Sequence, residues 1–314
     1  LIVSPLSITV GEEVIGGVIP TTYMGSQGMF VALILCYLVA KVYCKILSSK
    51  LKIKLPDSVP PMVSSSFESL IPVIITLVLV CSINYCFTLT SFGNIHALVN
   101  EIIQKPLLLI GTGLPALLIS QGLAQLLWFF GLHGDQIVGS VMDPILQTAG
   151  MENLSAYTAG DAVPYIITDQ FRALFVMIAF MSLVIAILIV SKSNRLKGVG
   201  KVAVLPATFC ISEPVVFGAP VVMNAMLFIP WVLSRPVFGL ITWLFMKFGL
   251  CPYPTGVAIP WTTPPVLSGF LATNSIMGAV VQIICLAIGV LMFIPFVKMI
   301  DKTYHQEEIK TKEQ

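Results

Sequence analysis

Glu213 is the sharpest chemical feature of the sequence. It stands in Cys210-Ile211-Ser212-Glu213-Pro214-Val215-Val216-Phe217-Gly218-Ala219-Pro220, a run with no other charge. Placing a carboxylate in an apolar membrane setting costs roughly 2.5–3.5 kcal/mol on insertion scales. Something must offset that cost. A ligand or a proton to be accepted would do so, and so would an ion pair, for which Arg235 is the nearest candidate in sequence.

His133 is the second. It follows Trp128-Phe129-Phe130-Gly131-Leu132 and precedes Gly134-Asp135. Upstream, Gln121, Gln125, Trp128 and Leu132 recur at helical spacing, so two amides and an indole share one face that points toward the imidazole. Amides and an aromatic ring suit a sugar: hydroxyls take hydrogen bonds, and the apolar sugar face stacks on the ring. Trp261, in Ile259-Pro260-Trp261-Thr262-Thr263-Pro264-Pro265, offers a second stacking platform or an interfacial belt residue. Asp135 and Asp143 line a cavity or face solvent. Trp231 and Trp243 read as packing, and His96 and His305 as interfacial and tail residues.

Other chemistries lack their templates. There is no Walker motif, no HExxH and no GxSxG. The seven cysteines form no CxxC and read as buried small hydrophobes, not as metal ligands or a disulfide framework. No metal and no cofactor is expected.

The elements that must position these residues are membrane helices. Only 10% of 314 residues are charged and 57% are hydrophobic, whereas a soluble domain carries about 25% charge. A net charge of +2 points to no nucleic acid. No Asp, Glu, Lys or Arg occurs between Glu13 and Lys41, Glu68 and Glu101, Lys105 and Asp135, Arg172 and Lys192, or Lys247 and Lys298. Each gap can hold a helix of about 20 residues.

The pattern predicts spans near residues 28–47, 71–89, 106–132, 173–190, 225–245 and 276–300, with Ser64–Ser66 in the interface. Positive-inside counting places the loops at 41–54 and 192–201 and the C-terminus in the cytoplasm. Residues 135–169 carry five acids and no base, which suits the outer side or a water-filled cavity. Three stretches, 131–150, 202–224 and 249–274, are broken by Gly or Pro. Irregular backbone survives in a membrane only when buried or lining a cavity, and transporters keep their substrate there. The orientation requires 202–224 to re-enter from the inside and 249–274 from the outside. The fold class is therefore an all-α polytopic membrane protein with re-entrant hairpins lining a central site.

These blocks resemble the enzyme IIC permeases of the lactose/cellobiose/diacetylchitobiose branch of the bacterial phosphotransferase system. Ser212-Glu213-Pro214-Val215-Val216-Phe217-Gly218-Ala219-Pro220-Val221-Val222-Met223-Asn224 is similar to that branch's NEPVIFGxPIxxN signature, with Ser212 in place of Asn. Trp128 to Gly134 is similar to its WxxGxHG block, and Ile259 to Pro265 to a third. Tyr23-Met24-Gly25-Ser26-Gln27-Gly28-Met29-Phe30 resembles the block opening an earlier helix.

The resemblance implies a homodimeric inner-membrane permease, surrounded by lipid, that captures a β-linked disaccharide. Glu213 would hold the hydroxyl to be phosphorylated and His133 would contact the same end of the sugar. Trp128, Trp261, Gln121, Gln125, Gln27, Gly28 and Asn224 are the expected substrate contacts. Phosphate would come from a cysteine of a cytoplasmic IIB protein, itself supplied through enzyme I, HPr and IIA, so this chain is part of an enzyme II complex rather than an enzyme alone. Residues 1–105 would belong to a dimerising scaffold whose further helices lie upstream, 106–300 to the transport domain and 301–314 to a cytoplasmic tail. A proton-coupled sugar transporter without phosphorylation is the rival reading. A receptor or purely structural membrane protein is the other.

Overall fold

The computed structural model describes residues 6–10, 13–18, 26–51, 53, 55–56 and 59–312. Among them, Phe30–Leu47, Pro61–Thr88, Phe171–Val190, Ala225–Lys247 and Ile276–Lys310 are helical, long and apolar enough to cross a membrane. The chain divides into two units, Leu1–Leu107 and Leu108–Gln314.

The first unit opens with strands β1 (Leu6–Val10) and β2 (Glu13–Val18), paired antiparallel. This hairpin departs from an all-helical expectation. Its β-branched Ile8, Thr9, Val10, Val14, Ile15 and Val18 suit a strand. Helices α1 (Ser26–Leu47) and α2 (Pro61–Thr88) pack together, followed by α3 (Ile95–Val99) and a π-helical turn at Asn100–Gln104. Pro61 sits at the start of α2, where its missing N–H costs nothing. Ser64–Ser66 lies within the first two turns of α2. Ile74, Val78 and Tyr85 stay exposed along α2, as a helix facing hydrocarbon requires. Cys36, Cys44, Cys81 and Cys86 are exposed on these two helices, a correction to the expectation of buried thiols: hydrophobic in sequence does not mean inward in a membrane. His96, expected at an interface, is buried at 5% exposure.

Helix α4 (Lys105–Gly111) leads into the second unit, where α5 (Leu114–Phe129) begins at once. The span expected at 106–132 is thus two helices. Thr112 and Gly113 break it, and Pro115 restarts it. Helix α6 (Gly134–Ala159) corrects a second expectation, since the glycine-rich 131–150 stretch is almost wholly helical. Its start is capped by the His133 side chain and its end by Gly160 in a left-handed conformation. The next span opens with a π turn at Phe171–Val176 and a 3-10 turn at Met177–Phe180 before α7 (Met181–Val190). Helices α8 (Asn194–Thr208) and α9 (Glu213–Gly218) divide the 202–224 stretch, so its first half is regular and its break lies at 209–212. Then come α10 (Ala225–Lys247), α11 (Leu267–Thr273) and α12 (Ile276–Lys312), which carries helix far into the expected tail.

Helix α10 is the hub of this unit. It packs on α5 and α12 and buries Trp231, Arg235 and Phe238. The Gln125 amide on α5 donates to the Trp231 carbonyl at 3.1 Å, and the Trp231 indole donates back to the Gln125 carbonyl at 3.2 Å. The irregular 249–266 segment has its polar backbone met by buried amides, as a non-helical chain inside a protein demands. Asn153 donates to the carbonyls of Tyr165 and Pro254, both at 2.8 Å. Gln282 accepts from Val266 N and Gly269 N and donates to the Leu174 carbonyl at 2.7 Å.

The far end of α12 fixes the start of α8. Asp301 accepts from Lys192 N at 2.7 Å and from Ser193 N and Oγ at 2.9 and 2.7 Å. Glu308 accepts from Asn194 N and Arg195 N, both at 3.0 Å, and the Arg195 guanidinium lies 4.1 Å from the Tyr304 ring centre. Carboxylates at a helix N-terminus satisfy orphan N–H groups and oppose the helix dipole. The loop at 192–195 and the last turns of α12 therefore share one end of the unit.

Candidate functional site

A cavity of about 780 Å³ opens within the second unit. Helix α6 and its leading turn supply His133, Asp135, Gln136, Asp143 and Gln147. The break before α9 supplies Cys210, Ser212 and Glu213. The irregular segment supplies Ala258 to Trp261, and residues 169–177 close another wall. Four sequence-predicted residues, Trp128, His133, Glu213 and Trp261, line this one cavity although they are spread over more than 130 positions.

Each is placed by an identifiable local device. Gly131 adopts φ 80° and turns the chain out of α5. His133 then caps α6, with its Nδ1 accepting Gln136 N–H at 3.3 Å. Gly134 is forced by packing: a Cβ there would lie 1.9 Å from the Ala124 carbonyl oxygen. The Trp128 and His133 rings pack with centroids 4.4 Å apart and planes tilted 48°. Glu213 is exposed to the cavity at the first position of α9, which the break at 209–212 frees from α8. Trp261 is 56% exposed on the irregular wall, a wall tied to the far side through the Gln170 amide and the Val257 carbonyl.

Arg235 does not pair with Glu213. Its guanidinium grips Asp135 by two nitrogens, with Nη2 3.0 Å from Oδ2. A second pair joins Arg172 to Asp143. Among the described residues Glu213 has no ion-pair partner. Asp135, Asp143, Asp169 and Glu213 thus line a cavity in which only two acids are matched by arginines, so it favours an uncharged ligand with many hydroxyls over an anion.

Gln121 and Gln125 lie on α5 as expected, but they are fully buried and outside the cavity lining. The Gln125 amide is spent on α10, donating to Trp231 and to Ser234 Oγ at 3.3 Å. Asn224 caps α10, its side chain accepting from Met226 N at 3.1 Å, and lies outside the lining as well. Gln27 and Gly28 fall in α1 of the first unit, where Gly28 is buried. The Gln27 side chain and residues 23–25 of its block lie outside the described residues. Sequence reasoning missed Gln136, Gln147, Asp169, Gln170 and Arg172 in the lining. Arg172 did leave a signal, as the first base after five acids.

Comparison with known proteins gives this geometry a class. Residues 2–234 match the family described as Phosphotransferase system, EIIC. The chain belongs to that family, whose members are membrane permease components. It is 44% identical over 295 residues to the oligo-beta-mannoside-specific EIIC component of Bacillus subtilis (strain 168), covering 92% of this chain and 67% of that one. It is 38% identical over 301 residues to the cellobiose-specific EIIC component of Geobacillus stearothermophilus, with 94% and 67% covered. The crystal structure of the transporter ChbC, the IIC component from the N,N'-diacetylchitobiose-specific phosphotransferase system, superposes with a TM-score of 0.91 at 36% identity. That match covers 97% of this chain and 72% of ChbC.

Proposed function

We propose that this chain is the permease component of a sugar phosphotransferase system. It takes up a β-linked disaccharide of the cellobiose, chitobiose or oligo-β-mannoside class and presents it for phosphorylation by a IIB partner. The observation that carries this reading is the meeting of Glu213, His133, Trp128 and Trp261 around one polar cavity. The names of relatives support the substrate class: they are specific for oligo-β-mannosides, cellobiose and N,N'-diacetylchitobiose. A lactose-specific relative of Lacticaseibacillus casei, 28% identical with 99% of this chain and 56% of that protein covered, is an EIICB component. That name supports a IIB partner. Gln125 and Asn224 act in this scheme through the residues they hold. A homodimer built on the first unit, in a lipid bilayer, completes the proposal, with enzyme I, HPr and IIA supplying the phosphate.

The geometry supports a role for each residue. His133 Nδ1 accepts the Gln136 backbone N–H, which leaves Nε2 as the ring nitrogen that donates a hydrogen bond to a sugar oxygen. Glu213, which has no ion-pair partner among the described residues, accepts the proton of the attacking hydroxyl. The hydroxyl oxygen forms a bond to phosphorus as the phosphorus–sulfur bond to the IIB cysteine breaks, and the thiolate leaves. Most of the acceleration comes from holding hydroxyl and phosphorus in line.

The test is partner dependence. Purified chain with cellobiose and a phosphate donor should bind sugar and release it unchanged. Adding phosphorylated IIB should yield sugar phosphate, and a variant with all seven cysteines replaced should retain that reaction. Sugar phosphate formed without IIB, or lost in a folded cysteine-free variant, overturns the division of labour. Sugar accumulation driven by a proton gradient without IIB would establish the rival transporter.

The orientation is tested separately. Arg195 sits in the basic first turn of α8, pinned to the end of α12 by Glu308, so both should face the cytoplasm. Arg195→Cys in intact cells should react with a membrane-impermeant maleimide only after the membrane is opened. Labelling from outside reverses the assigned topology.

A further inference from the structure

We propose that Asp135, held by Arg235, is a positioning residue that sets the Trp128 indole against the His133 ring at the wall of the sugar cavity. The proposal rests on the sugar-binding reading above and deepens it.

The Asp135 carboxylate is shared between two tasks. Both of its oxygens face the Arg235 guanidinium, and Oδ2 also accepts the Trp128 indole N–H at 2.9 Å. Arg235 is 2% exposed and Asp135 13% by side chain. The pair is drawn from the middle of α10 and the first turn of α6, while the indole comes from the end of α5. Arg235 is confined as well, since Trp231 and Phe238, about one turn away on either side along α10, are buried with it. The bidentate fork fixes the carboxylate in plane and in distance. The carboxylate in turn fixes the indole, which is 3% exposed yet lines the cavity and lies 4.4 Å from the His133 ring.

Stability alone does not account for the arrangement. A buried ion pair is commonly replaced by apolar side chains with no loss of stability, and a charged pair within membrane helices is costlier still. An apolar pair could fill the same volume but could not orient an indole N–H. An indole that tilts by a few tens of degrees no longer supports the His133 ring packed on it, so a fixed ring position has a direct use in holding the imidazole toward the sugar.

The experiment is a double-mutant cycle on sugar affinity in the full chain. Asp135→Asn combined with Arg235→Gln removes both charges together and leaves no unpaired guanidinium. Cellobiose affinity is read by calorimetry in the native background and in Trp128→Phe, whose ring has no N–H to orient. In the native background the neutralised pair should weaken binding roughly tenfold, the scale of one hydrogen bond to a charged group. In the Trp128→Phe background the same change should alter affinity by less than about twofold, because coupled residues are not additive. Thermal unfolding of each variant identifies any that fail to fold. In that event Arg235→Lys, which keeps the charge but loses the fork, is measured through the same cycle.

Equal losses in both backgrounds would show that the pair acts on the fold and not through Trp128. No loss in either background also overturns the proposal. Failure of the native protein to bind cellobiose, chitobiose or a β-mannobiose instead removes the sugar-site reading, and the positioning role falls with it.

Discussion

Replacing Glu213 by Gln should abolish sugar phosphorylation, by about 10²- to 10⁴-fold, while sugar still binds and the protein still folds. Glutamine keeps the shape and a hydrogen-bond acceptor, but it cannot take a proton at neutral pH. Glu213 is exposed to the cavity and has no ion pair among the described residues, so its loss strands no buried cation. The assay is transfer from phosphorylated IIB to labelled cellobiose, beside calorimetric binding of the same sugar. Binding should change by less than about tenfold, since one charged hydrogen bond becomes a neutral one. A normal transfer rate in Glu213→Gln would remove the base from the mechanism. Complete loss of binding together with transfer would make Glu213 an anchor for the sugar rather than its proton acceptor.

Gly134→Ala should be the most damaging single methyl group in the second unit's site. The added Cβ would stand 1.9 Å from the Ala124 carbonyl oxygen and 3.0 Å from its Cα. Those atoms belong to the backbone of α5 and cannot rotate away, unlike the end of a flexible side chain. Relief requires α6 to move off α5, and the residues on either side, His133 and Asp135, move with it. The expected loss is about 4 kcal/mol or more of stability, read as a sharply lowered melting temperature in detergent, with sugar binding lost. Gly160→Ala is the control. Gly160 has φ 80° but nothing within 4 Å of its added Cβ, so it should cost only about 1–2 kcal/mol in left-handed strain. Similar melting temperatures for the two variants would show that α6 is not seated on α5 as described.

The membrane class and the chemical residues could be read from the chain. Charge-free gaps mark helices because hydrocarbon excludes charge whatever the fold, and four of the five spans overlap those gaps, the exception being Ala225–Lys247, which holds Arg235. Glu213, His133 and Trp128 stood out because their types are costly or rare in such surroundings, and they line one cavity with Trp261. The local breaks were less legible. Proline and glycine told where a helix could end, but Pro144 stays inside α6 and Pro295 inside α12. In a membrane neighbouring helices can satisfy the groups that a proline frees.

What only the tertiary structure decided is pairing. Helical spacing correctly put Gln121, Gln125 and Trp128 on one face of α5, yet spacing has no knowledge of what faces it. Gln121 is buried, helix α10 takes the Gln125 amide into its packing, and of the three only Trp128 reaches the cavity. Arg235, the partner that the sequence suggested for Glu213, is committed 100 residues away to Asp135. An acid's partner is chosen by distance in space, through a Coulomb energy that falls with separation, and separation along the chain does not enter it. The types of residue thus declare which chemistry is possible, and the crossing of α5, α6 and α10 determines which of them perform it.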